Sequence, residues 1–130
     1  MPTMPEDLSL PPGEALEEAQ RLLDADRPFH AHEVLEAAWK DAPPAERELW
    51  RGLAQIAVGV THLRRGNGPG AQALLERAAE RVEPYAADSP YGIDVNGVAD
   101  EARRVAARAA EGAGPGLPLR FRLTRTPPDA

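Results

Sequence analysis

Leu16, Ala19, Leu22 and Leu23 recur at the spacing of one helical face, which predicts a first helix beginning near Gly13. The stretch before it, Met1 to Pro12, is interrupted by prolines and reads as an irregular leader. Asp26 offers an N-cap and Pro28 a first-turn proline for a second helix reaching about Asp41. Pro43-Pro44 ends that helix and opens a third, whose apolar residues run from Leu49 to Leu63 around most of the circumference, the pattern of a helix covered on several sides. Gly52 and Gly59 lie two turns apart on it, where a neighbouring backbone has room to come close. Gly66-Asn67-Gly68-Pro69 joins a glycine stop to a proline start and predicts a fourth helix from about Pro69 to Glu83, with Ala71, Leu74, Leu75, Ala78 and Val82 inward. Tyr85 to Gly92 reads as a loop, Asp94 as the cap of a fifth helix through about Glu111, and Gly112 to Gly116 as its stop. The remaining Leu117-Pro118-Leu119-Arg120-Phe121-Arg122-Leu123 alternates apolar with basic or proline positions. That alternation predicts an extended arm pressing Leu119, Phe121 and Leu123 onto the helices, with Arg120 and Arg122 in solvent and no visible strand partner.

The expected fold is therefore all-α, a compact bundle of about five helices built on two helical hairpins with an extended C-terminal arm. It divides into a leader (1–12), a helical domain (13–111) and an arm or tail (112–130). Ala31, Leu35, Glu36 and Ala38 recur as Ala71, Leu75, Glu76 and Ala78, a faint internal repeat that suggests stacked hairpins of the tetratricopeptide kind.

Composition narrows the chemistry. The 130 residues fit one domain with a core of its own. With no cysteine, disulfides, thiolate catalysis and Cys-ligated zinc are excluded, and a reducing compartment is compatible. Met1 to Gly13 has neither a basic n-region nor an apolar h-region, and no apolar run is long enough to span a bilayer. The expectation is a cytoplasmic protein off the membrane. A formal net charge of −6 argues against broad phosphate-backbone contact and so against nucleic acid. Acidic residues crowd the beginning of the chain and arginines its end, which favours attraction within the chain or between copies; a homo-oligomer stays open.

Candidate chemistry gathers in two stretches. Phe29-His30-Ala31-His32-Glu33-Val34-Leu35-Glu36-Ala37-Ala38-Trp39 sets histidines and carboxylates into an apolar, helix-forming segment, and Gly52-Leu53-Ala54-Gln55-Ile56-Ala57-Val58-Gly59-Val60-Thr61-His62-Leu63 carries Gln55 and His62 as isolated polar groups. At about 100° per residue, His32 and Glu36 share a face with Phe29 and Trp39, Glu33 lies at its margin and His30 points away. Glu48, Arg51, Gln55 and His62 form one stripe on the third helix by the same arithmetic. Antiparallel packing of the two helices then predicts Glu36 near Gln55 and His32 near His62.

These two stretches, followed by His62-Leu63-Arg64-Arg65-Gly66-Asn67 with Gly70-Ala71, resemble the family called domain of unknown function 309. The resemblance covers about Leu16 to Glu111, including Gly92-Ile93-Asp94-Val95. It implies a compact all-helical prokaryotic protein and no known activity.

Three functional readings follow. In the first, His32, Glu33, Glu36, Gln55 and His62 form a buried hydrogen-bond network that organises the core or opens into a small ligand pocket walled by Phe29, Trp39 or Trp50. Removing Glu36 would then cost more stability than removing Glu17. In the second, His32, Glu36 and His62 ligate a divalent metal and Glu33 or Glu36 acts as catalytic base, making a metal-dependent enzyme such as a hydrolase; His32-Glu33-Val34-Leu35-Glu36 resembles the zincin pattern with Glu36 in place of its second histidine. In the third, the helices form a tetratricopeptide-like module for a protein partner. Ser9 and Ser89 lie in loops without a nucleophile elbow, and no glycine loop for phosphate follows a strand.

Overall fold

The computed structural model describes residues 9–125 and contains five α-helices: α1 (Pro12–Asp24), α2 (Pro28–Asp41), α3 (Arg47–Arg64), α4 (Gly68–Val82) and α5 (Val95–Ala110). Among the described residues there is no β-strand. The fold is all-α, as the periodicity predicts. Most of the expected leader, Met1 to Leu8, lies outside the described residues, as does the end of the tail beyond Arg125.

Local chemistry sets the element ends. Pro28 begins α2, but Asp26 does not cap it: Asp26 has φ 60°, and the backbone N–H of Arg27 donates to Leu22 O at 2.8 Å. Asp26 thus closes α1 in the left-handed conformation that an Asx side chain tolerates. Its carboxylate is turned to Arg64, 2.8 Å away. Between α2 and α3 the chain makes a short 3₁₀ turn, Pro44–Glu46. Gly66, at φ 81°, ends α3, and the Asn67 side chain caps α4 by accepting from Gly70 N at 3.0 Å. Asp94 caps α5 through Gly97 N at 3.2 Å, as expected.

Each helix packs mainly on its neighbours in the chain, so α1 to α5 follow one another around the core. α3 is the most enclosed, with Leu49, Leu53, Ile56, Ala57, Val60 and Leu63 buried. Its glycines bring α4 close: a Cβ at Gly52 would stand 2.6 Å from Val82 Cγ1, and one at Gly59 would stand 2.8 Å from Leu75 Cγ. On α4, Ala71, Leu75, Ala78, Ala79 and Val82 are buried; Leu74 is only half-buried because the helix turns its Ala78–Ala79 edge, not Leu74, to the core.

The arm does alternate. Leu117, Phe121 and Leu123 are buried, Leu119 is half-buried, and Arg120 and Arg122 are exposed. It also finds the partner that its sequence does not reveal. Asp94 N donates to Leu123 O at 2.9 Å and Arg125 N to Gly92 O at 3.0 Å, a single antiparallel bridge between Ile93 and Thr124. From α1, the Gln20 amide donates to Phe121 O at 2.9 Å and accepts from Leu123 N at 2.8 Å, imitating a strand edge. Arg64 donates to Leu117 O at 2.8 Å. Glu101 of α5 accepts from Arg120 N at 2.6 Å while chelated by Arg104 at 2.8 Å. One extended segment therefore fastens α1, α3 and α5 together, and its polar backbone groups are met by side chains.

Candidate functional site

α2 buries Pro28, Ala31, Leu35 and Ala38. The candidate residues flank this stripe on two sides. His32, Glu36 and Trp39 are half-buried on the side towards α3, whereas His30 and Glu33 are exposed and line a groove between α1 and α2. Glu33 is therefore on the wrong flank to serve as base beside His32, because positions one residue apart are rotated by about 100°.

The expected single network gives way to local pairs. His32 Nε2 lies 3.9 Å from Glu36 Oε2, and the His32 ring is tilted against the exposed Phe29 ring at 5.8 Å. His32 Nδ1 is buried with no hydrogen-bond partner among the described residues. Gln55 Oε1 accepts from Arg81 Nε on α4 at 3.0 Å, and Arg81 also pairs with Glu48. His62 Nδ1 is 3.0 Å from the Asn67 amide at the turn into α4. Gln55 and His62 are committed to the α3–α4 side, which leaves Glu36 without the acceptor role foreseen for it.

Among the described residues no group of three or more His, Asp or Glu side chains is placed to hold a metal ion. His32, Glu36 and His62 thus do not assemble the ligand set of the hydrolase reading, and no described residue set replaces it. With 40% of its side chain exposed and a single long ion pair, Glu36 is close to a surface residue. Glu36→Ala is expected to change the free energy of unfolding by no more than about 0.5 kcal/mol, indistinguishable from Glu17→Ala in urea denaturation. This removes the larger cost that the sequence alone assigns to Glu36 over Glu17.

Two residues not singled out as binding candidates alter the character of this face. The guanidiniums of Arg47 and Arg51 stand 5.8 and 5.7 Å from the centre of the Trp39 ring. Both arginines are exposed and lie one turn apart on α3, and among the described residues neither makes an ion pair. Arg51 already belongs to the stripe with Gln55 and His62, but its aromatic partner sits on another helix, which periodicity within one helix cannot show. Arg81 was beyond sequence reach for the same reason. Phe29, 49% exposed, extends the aromatic surface on the α2 side. The other tryptophan, Trp50, is core: it is buried, donates to Glu46 at 3.3 Å and packs on Tyr91 with ring centres 6.0 Å apart.

Among the described residues no helix is long and apolar enough to cross a membrane. An uncharacterised protein, YpuF of Bacillus subtilis (strain 168), is 46% identical over 68 residues, which is 51% of this chain and 39% of the relative. The chain thus spans well under half the length of the curated relative that it matches. No solved structure matches. Residues 16–74, which carry the whole α2–α3 face from Phe29 to His62, match the family model described as a domain of unknown function, DUF309.

Proposed function

We propose that the protein is a helical recognition module that uses the α2–α3 face, with His32, Glu36, Trp39, Gln55 and His62 beside Arg47 and Arg51, to bind an acidic segment of a partner protein in the cytoplasm. The observation that carries this reading is the half-buried Trp39 indole covered by two guanidiniums that have no carboxylate partner among the described residues. Tryptophan and arginine are the side chains that most often dominate binding energy at protein surfaces. A cation held over an aromatic ring keeps its remaining donors free for a carboxylate. The net charge of −6 makes a local cationic spot stand out and speaks against nucleic acid as partner. An open face with an aromatic anchor suits a protein segment better than the small-ligand pocket also foreseen from the sequence.

The test is titration calorimetry of the full chain with a short peptide of glutamates around one phenylalanine. Binding is expected to weaken by about tenfold or more in Arg47→Ala/Arg51→Ala, to fall with added salt, and to be unaffected by Arg103→Ala on α5. Equal affinity of the Arg47→Ala/Arg51→Ala protein and the parent chain contradicts the reading.

A further inference from the structure

The opposite flank of α2 has another character. α1 and α2 enclose an open groove of about 910 Å³ lined by Leu10, Leu22 and Val34 together with Glu14, Glu17 and Glu33. Glu18 and Arg21 also border it but neutralise each other in a two-pronged pair, with 3.0 Å between Arg21 Nε and Glu18 Oε1. Glu14, Glu17 and Glu33 are exposed and make no ion pair among the described residues. The groove therefore combines an apolar floor with unneutralised carboxylates contributed by both helices.

We propose that this groove docks a basic amphipathic helix of a partner protein, with apolar side chains on Leu10, Leu22 and Val34 and lysines or arginines against Glu14, Glu17 and Glu33. The two helical walls and the apolar floor of the groove favour a helix as the occupant. α3 covers one flank of α2 and α1 packs on the other, and the α1–α2 groove is walled by a helix on each side and open outward. An amphipathic helix laid in such a groove is a recurring mode of peptide recognition, with anchors spaced by three and four residues. Charge complementarity selects the basic class: apolar anchors alone would fit many helices, but an acidic one would set like charges together along both rims. This surface is distinct from the Trp39 face and does not depend on its assignment.

The experiment titrates the full chain with a fluorescently labelled amphipathic helical peptide of leucines and lysines and follows anisotropy. The expected result is saturable one-to-one binding that weakens by about tenfold in Glu17→Gln/Glu33→Gln. It should persist in Glu76→Gln/Glu80→Gln, which removes the same charge from α4, and in Arg47→Ala/Arg51→Ala. Because Glu17 and Glu33 are exposed, their neutralisation leaves the fold intact, which circular dichroism verifies. Equal weakening by the Glu17/Glu33 and Glu76/Glu80 pairs would mean attraction to net charge alone and would overturn the proposal. So would absence of binding, or light scattering that finds a dimer of the free chain dissociated by Glu17→Gln/Glu33→Gln, because the groove would then be filled by a second copy.

Discussion

Gly52→Val is expected to lower the free energy of unfolding by about 1–3 kcal/mol, towards the upper end of that range. A Cβ at this position would stand 2.6 Å from Val82 Cγ1 and 3.4 Å from Ala78 O. Valine is confined to essentially one rotamer in a helix, so Val82 cannot swing aside. The carbonyl belongs to the α4 backbone and yields only if the helices separate. At an exposed helical site, replacing glycine normally stabilises by a few tenths to about 1 kcal/mol, so the sign of the change reports the close approach of α3 and α4. Urea denaturation checks it: a lower midpoint with an unchanged slope is expected, and an unchanged or raised midpoint would mean that the helices stand further apart.

Glu101→Ala is expected to cost about 2–3 kcal/mol, although glutamate is ordinarily a surface residue. Glu101 is only 8% exposed, grips Arg104 with both oxygens at 2.8 Å and accepts from Arg120 N at 2.6 Å. Its removal leaves an arm N–H without its acceptor and frees a partly covered guanidinium. Burial pushes the Glu101 carboxyl up, but the Arg104 guanidinium and the Arg120 N–H together outweigh it and hold the group below its ordinary value of 4.5. A folded-state pKa below the unfolded one contributes stability that is present above the unfolded value and is lost as pH falls through the folded value. The parent chain should therefore lose stability below about pH 4.5 more steeply than Glu101→Gln does. Parallel acid profiles of the two proteins would contradict the role assigned to this carboxylate.

The helices and the arm were legible because their signals are local. Apolar spacing, prolines at helix starts, Gly66 and Asp94 each act within a few residues of the feature they set. Asp26 was misread because capping and left-handed closure draw on the same residue types, and the choice depends on how α1 ends. The partner of the arm was invisible because Gln20 and Glu101 meet it from far along the chain, and neither residue looks like a strand edge. At the candidate face, one-helix geometry placed His32, Glu36 and Trp39 together correctly. It failed between helices, where Arg81 of α4 takes Gln55 and Asn67 takes His62. The arginines over Trp39 depend on the registry of two helices, which the pattern of either one leaves undetermined.

Recognition by the α2–α3 face is tested most directly by nuclear magnetic resonance of the two tryptophan indole N–H groups in ¹⁵N-labelled full chain, titrated with the glutamate–phenylalanine peptide. The indoles are their own control: Trp39 lies beneath Arg47 and Arg51 at the surface, whereas Trp50 is buried and bonded to Glu46. The expected result is a saturable shift of the Trp39 indole, reduced by salt, with the Trp50 indole stationary. A stationary Trp39 indole at saturating peptide, or equal movement of both, would contradict the account.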